Sequence, residues 1–381
     1  MKIVLTYNYV PTHLGGVEVI VDALATEYAR RGNDVVVVGA TVGGPSIGAT
    51  SSAYRVAAAP ALNWAEDRLG VPYPLPHPSL INLLRQELAQ AGLVHCHGFL
   101  NLPTLTAFAF ARLHGKRGPV RLLTEHVAHV DYPSRIINGV ETAGIATLGR
   151  VCARLAEGIV VYNTRVAKEL RQLAPSTEQR WIPNGVDTSR YAPPSPGERE
   201  RLRAALGWDE RPRVLFVGRL AAKKGADIAA QVAALGNGAF EVVMVGPGTL
   251  PTPNAPHVEL LGTLLSTRVA QLYRAADAFL LPSYSEGFPL TAQEALASGL
   301  PVFLGEDESY TPYLEGAGQS IQLVPRDAQA ITETLTALFQ DKARAAATRQ
   351  AAIRHASHLF SWQHAVDEHL SFADQLRAAR D

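Results

Sequence analysis

The chain has 381 residues, 47% of them apolar and 18% charged. It is too long for one ordinary core and too apolar to stay disordered, so two packed domains are expected. Lys plus Arg and Asp plus Glu each total 35, a balance that argues against a dedicated nucleic-acid binder and leaves acidic ligands to a few placed cations.

The N-terminal run MKIVLTYNYV is cut short by Pro11 and lacks the length and cleavage pattern of a secretion leader. No run approaches the ~18 apolar residues that span a bilayer. Two cysteines, Cys96 and Cys152, give no disulfide framework and fit a reducing compartment. The expectation is a cytoplasmic protein without a transmembrane segment.

In chain order, β-branched runs predict strands at 2–7, 34–39, 92–97, 120–125 and 158–163, with a helix-period segment, VEVIVDALATEYARRG, after the first. The Gly-, Ala-, Pro- and Ser-rich interval 42–78 reads mostly as loop. The stretch IPNGVDTSRYAPPSPGERERLRAALG, with prolines at 183, 193, 194 and 196, reads as a linker into a new helix. Strands resume at 213–218, 240–246, 257–262, 278–283 and 300–305, with helices at 225–236, 266–276 and 289–298. The last segment, SWQHAVDEHLSFADQLRAAR, predicts one amphipathic helix. Alternation of this kind means two doubly wound α/β domains with parallel sheets, which hold ligands at their strand C-termini. Two such sheets are expected to face one cleft.

Several short stretches carry candidate chemistry. In PTHLGGVEV, Gly15 and Gly16 open a helix, as a phosphate site or as a tight turn requiring positive φ. In VHCHGFLN, His95 and His97 alternate faces of a strand, so they are not expected to share a site; His97 falls where the strand empties. In TEHVAHVDY, Glu125, His126 and His129 line an acceptor pocket or cap a loop. In FVGRLAAKKGAD, Arg219 and Lys224 leave a strand end just before Gly225 opens a helix, a place for a diphosphate, whereas Lys223 reads as solvated. Neither a dinucleotide fingerprint nor a P-loop occurs. In YSEGFPLTAQEALASGLPV, Pro289 suits the first turn of a helix and Gly299 the residue past its end. Glu286 then lies in the loop and Glu294 in the second turn. The two carboxylates suit ribose and hexose hydroxyls, a glycosidase pair, or, for Glu286, simply a helix N-terminus.

Taken in order, GGVE, HCHG, TEH, IPNGVD, VGRL…KKG, VGPG, LLG, PSYSEGFPLTAQEALASGLPV and FSWQHAVDEHL resemble a retaining glycosyltransferase of family 4 over nearly the whole chain. The resemblance implies the GT-B fold, two Rossmann-like domains facing a central cleft. Residues 1–190 with 362–381 would form the acceptor-side domain, the last helix crossing back to it. Residues 191–361 would hold a nucleotide-diphosphate sugar, UDP- or GDP-linked, as donor substrate, with no further cofactor. The resemblance places Arg219 and Lys224 on the diphosphate, Glu294 on the ribose, and Glu286 and His97 on the sugar. Gly16 would let its loop reach the phosphates, with Gly15 beside it, and Leu264 would lie near the base. Gly287, Phe288, Leu290 and Thr291 would offer N–H groups around Pro289, which has none where many members carry glycine. No D-x-D pair occurs, so the resemblance implies cations in place of a metal.

The implied reaction moves a hexose-type sugar with retention to a glycan, lipid-linked or small-molecule acceptor. Alternatives are a nucleotide-sugar 2-epimerase or hydrolase of the same fold, or an inactive nucleotide-sugar-binding subunit. The basic group Arg112, Lys116, Arg117 and Arg121 reads either as a contact to anionic lipid or as a solvated helix end.

Overall fold

The computed structural model describes residues 1–11, 16–42, 53–69, 73–126, 134–250, 255–284 and 286–380. They fall into two compact units, Met1–Pro183 with Trp362–Asp381, and Asn184–Ser361. The division at 183/184 precedes the sequence expectation of 190/191. The cause is local pairing: Val186 N donates to Phe360 O at 3.0 Å and Arg274 Nη1 to Arg190 O at 3.0 Å.

The first unit runs β1 (Lys2–Tyr9), α1 (Gly16–Arg30), β2 (Asp34–Thr41), β3 (Arg55–Leu62), α2 (Trp64–Leu69), β4 (Leu75–Pro76), α3 (Ser79–Leu88), β5 (Leu93–His97), α4 (Leu102–Leu113), β6 (Val120–Glu125), α5 (Arg135–Gly144), α6 (Arg150–Leu155), β7 (Gly158–Val161), α7 (Thr164–Leu173) and β8 (Glu178–Trp181). Its sheet order is β4-β3-β2-β1-β5-β6-β7-β8. All pairings are parallel except β3 with β4. The central strands are buried on both faces, as KIVLTYNY and DVVVVGAT dictate.

Within the interval 42–78, residues 43–52 and 70–72 lie outside the described residues. The described ones include β3, α2 and β4, elements the loop reading did not anticipate; β3 pairs with β2 from Val36↔Arg55 to Thr41↔Pro60. Its sequence RVAAAPAL carries little of the β-branched signal that marks the inner strands.

The second unit runs α8 (Glu198–Ala205), β9 (Arg213–Val217), α9 (Ala226–Gly236), β10 (Glu241–Val245), β11 (Val258–Gly262), α10 (Ser266–Ala275), β12 (Ala278–Leu281), α11 (Leu290–Ala297), β13 (Val302–Gly305), α12 (Thr311–Leu314), β14 (Ile321–Val324), α13 (Ala328–Gln340) and α14 (Lys342–Leu359). The sheet order β11-β10-β9-β12-β13-β14 is wholly parallel and reverses direction between β9 and β12. In the first unit the reversal lies between β1 and β5. Loops leaving the strand ends diverge at these points and open a crevice in each sheet's edge.

The final helix, α15 (Trp362–Ala378), packs on α1, β6 and β7 of the first unit. Gly158 permits the approach, since a Cβ there would stand 2.5 Å from Leu376 Cδ1 and 2.7 Å from Phe372 Cζ. No helix among the described residues is long and apolar enough to cross a membrane.

Candidate active site

The second unit concentrates its candidate groups where β9 and β12 part. β9 ends at Val217 and Arg219 follows, its side chain exposed and, among the described residues, without a hydrogen-bond or ion-pair partner. The chain then turns through Ala222–Lys224 to Gly225, at φ +71°. A Cβ on Gly225 would lie 2.4 Å from the carbonyl oxygen of Pro282, so only glycine lets the two loops close up. Tyr284 N donates to Lys223 O at 3.0 Å and fixes the pairing. Lys224 Nζ consequently ion-pairs with Glu286 Oε1, residues 62 apart in sequence. Lys223 is exposed, as read from the sequence. A third loop joins them: Leu220 N donates to Pro247 O at 2.8 Å, within the VGPG stretch, where Gly246 and Gly248 hold φ of +141° and +116°.

Pro289 stands one position before α11, at φ −61° and ψ 128°, rather than inside its first turn. Its carbonyl accepts from the N–H groups of Ala292 and Gln293 at 3.0 and 3.2 Å. The N–H groups of Leu290 and Thr291 have no acceptor among the described residues, the expected state of a helix start. Gly299, at φ +80°, ends the helix where the sequence placed the stop. Phe288 turns away from the crevice: it is 5% exposed, stacks on Tyr313 at 3.7 Å and 6°, and also touches Tyr310 and Phe360. Its side chain anchors the loop and leaves only its main chain for a ligand, beside the half-buried Gly287.

Glu294 lies half-buried on α11. Tyr273 Oη approaches its Oε2 at 3.1 Å, and Tyr191 also hydrogen-bonds the carboxyl. Desolvation pushes this carboxyl up to about 7, the tyrosine bonds and the Arg190 charge pulling the other way. Tyr273 and Tyr191 carry no signal of their own in the sequence, where each reads as an ordinary core aromatic. Leu264 is half-buried just past β11.

In the first unit, Gly16 begins α1. A Cβ there would meet none of the described residues within 4 Å, so packing among them does not call for glycine. Gly15 and His129 lie outside the described residues. His97 is fully buried. Its Nδ1 sits 2.9 Å from His126 Nε2, while its Nε2 has no partner among the described residues. The expectation that His95 and His97 stay apart fails: their ring centroids are 4.5 Å apart, and His95 also lies 4.9 Å from His369 of α15. Residues two apart on a strand point to the same face, so the alternation that was expected to separate these rings in fact sets them side by side on β5. Burial depresses all four imidazoles, His126 to about 3 and His369 to about 4. Glu125 caps a loop, its Oε2 accepting from Phe99 N at 2.8 Å and its Oε1 from His126 N at 3.0 Å.

Of the basic group, Lys116 donates to Arg380 O, and Arg121 donates to Leu155 O at 2.6 Å and pairs with Glu157. Half of that group is thus structural. Among the described residues no three His, Cys, Asp or Glu side chains gather so as to hold a metal ion.

Two family models match the chain in succession, Glycosyltransferase Family 4 over residues 14–190 and Glycosyl transferases group 1 over residues 198–355. A D-inositol 3-phosphate glycosyltransferase of Nocardia farcinica is 28% identical over 321 residues, covering 76% of this chain and 68% of that one. A GDP-mannose-dependent alpha-mannosyltransferase of Mycobacterium tuberculosis is 34% identical over 170 residues, 43% of this chain and 44% of that one. Several further D-inositol 3-phosphate glycosyltransferases align over about half their own length. Among solved structures, Anabaena HepE in complex with UDP superposes with a TM-score of 0.74 at 17% identity, covering 98% of this chain and 100% of that one.

Proposed function

We propose that this chain, which belongs to glycosyltransferase family 4 and has the GT-B fold, transfers a hexose-type sugar with retention from a nucleotide-diphosphate sugar to an acceptor hydroxyl. The observation that carries the reading is the meeting of Lys224 with Glu286 at the β9/β12 reversal, beside the exposed Arg219. A leaving nucleoside diphosphate departs as an anion, and fixed cations and unpaired helix N–H groups stabilise that developing charge without reorganising.

In this reading Arg219 and Lys224 hold the diphosphate, with the N–H groups of Gly287, Phe288, Leu290 and Thr291 close by. Glu286 accepts from hydroxyls of the donor sugar and Glu294 from those of the ribose. Gly16 leaves room for the phosphates, and Leu264 lies toward the base. His97 with His126 is the first unit's polar contribution. The cations take the part a metal plays in other transferases. The printed names of the relatives and of the solved structure make GDP and UDP the first nucleotides to try. Two buried free cysteines accord with a reducing, cytoplasmic location.

The test is a panel of UDP- and GDP-sugars, screened for thermal stabilisation and for transfer to a panel of polyol, glycan and lipid acceptors. Arg219→Ala and Lys224→Ala are each expected to cost turnover on the order of 10²-fold or more. A near-normal rate in either variant refutes the diphosphate assignment. Release of free or 2-epimerised sugar with no acceptor product would establish the epimerase or hydrolase alternative instead.

A further inference from the structure

Tyr273 raises a question of proton accounting. It sits on α10, fully buried, with its hydroxyl 3.0 Å from Thr291 O and 3.1 Å from Glu294 Oε2. A phenol has one hydrogen, and both neighbours can accept it. If Glu294 is ionised, its carboxylate competes with the Thr291 carbonyl for that hydrogen. If Glu294 is protonated, its own O–H can donate to Tyr273 Oη, which then donates to Thr291 O. These neutral bonds are weaker than the charge-assisted one the carboxylate accepts, so Tyr273 on balance favours the ionised form. The second state ties the carboxyl inward. In the first the carboxyl carries its charge and is the stronger acceptor for a ligand's hydroxyls.

The surroundings reinforce this choice. Tyr191 lies edge-on to Tyr273 at 5.8 Å and 77° and also bonds Glu294. Arg190 is the positive charge that bears on the carboxyl, and it is shared with Asp187 at 3.4 Å and Ser266 Oγ at 3.2 Å. The ionisable groups of the neighbouring α14 look elsewhere: Arg349 donates to Ala276 O at 3.1 Å and His355 bonds the Tyr313 backbone.

We propose that Tyr273 is a positioning residue that couples nucleotide binding to the protonation of Glu294. The protein takes a nucleoside diphosphate in the carboxylate form and loosens its hold in the carboxylic-acid form. The binding half of this rests on the reading of Glu294 as the ribose contact; the proton coupling does not.

The two halves are tested separately. Protein labelled with ¹³C at the glutamate carboxyls is titrated by NMR without ligand, the Glu294 signal being identified by its loss in Glu294→Gln. The expected result is a midpoint near neutrality that rises by about one unit in Tyr273→Phe, the order of effect of losing one charge-assisted hydrogen bond. Calorimetric affinities for UDP and GDP are then measured from pH 6 to 8. Wild type is expected to bind about tenfold more tightly at the upper end, Tyr273→Phe to show the same rise displaced to higher pH, and Glu294→Gln to show only the ligand's own phosphate titration. Melting curves establish that the variants fold.

A Glu294 signal titrating in the ordinary carboxylate range, or one unmoved by Tyr273→Phe, overturns the proposal. If the signal behaves as expected but neither nucleotide binds at any pH, the donor-site reading and the binding half fail while the proton coupling stands.

Discussion

Glu294 shows what desolvating a carboxylate costs. Its carboxyl sits at about 7 when folded, raised chiefly by desolvation, against about 4.3 in an unfolded chain. A raised folded value stabilises fully below the unfolded one, and that stability is lost as pH climbs through 7. At pH 8 the ionised side chain therefore costs as much as about 3 kcal/mol relative to acid. Glu294→Gln should accordingly melt above wild type at pH 8, with the gap closing toward pH 5, while losing nucleotide affinity. Equal melting temperatures at pH 8 would show that the desolvation is relieved in some other way. Phe288 makes the opposite point: a residue read as part of the donor loop proves to be its anchor, stacked in an aromatic group, so only its main chain is left for chemistry.

Two glycines separate the roles an element terminus can play. Gly225 opens α9 from the left-handed region, with Pro282 O where a Cβ would go. Gly225→Ala must strain the turn and push β12's loop away, costing at least about 1–2 kcal/mol and separating Lys224 from Glu286. Gly16 opens α1 where a Cβ would meet none of the described residues. Gly16→Ala should leave the melting temperature unchanged or raised, since alanine is the better helix former, yet reduce transfer if a donor phosphate occupies that space. A fall in stability with Gly16→Ala, or none with Gly225→Ala, reverses the assignment. The inner strands of both sheets were legible because burial on both faces demands β-branched runs. Several outer strands were not: β3, next to the edge, is alanine-rich, and the edge strand β8 is the short, polar EQRW. Arg219, Lys224, Glu286 and Glu294 stood out as charges at strand and helix ends. The i, i+2 spacing of His95 and His97 does put them on one face of β5. The ion pair, the approach of His126 and His369 to them, and Tyr273's place against Glu294 depend on how separate loops and helices dock, which no local spacing encodes.

At the scale of the whole chain, the two units carry buried ionisable groups of opposite sign. The first holds His95, His97, His126 and His369 in mutual contact, all depressed by burial. A histidine whose folded value lies below its unfolded 6.5 gives stability that is complete above 6.5 and drains away as pH falls toward the folded value. With His126 at about 3 and His369 at about 4, each costs about 2 kcal/mol by pH 5. Together that is a large fraction of an ordinary domain's 5–15 kcal/mol, roughly. Glu294 acts in the reverse direction in the second unit, which gains about 2 kcal/mol over the same descent. Acidification from pH 7.5 to 5 should thus pull the units' unfolding transitions apart, the first falling while the second holds or rises. Multi-domain chains need not unfold as one, so calorimetry can resolve them. His369→Phe should flatten the pH slope of the lower transition, and Glu294→Gln that of the upper. A single transition whose pH slope is the same in wild type and His369→Phe would show that the histidine contact is hydrated or protonated in the fold, and would remove the basis for the acid sensitivity.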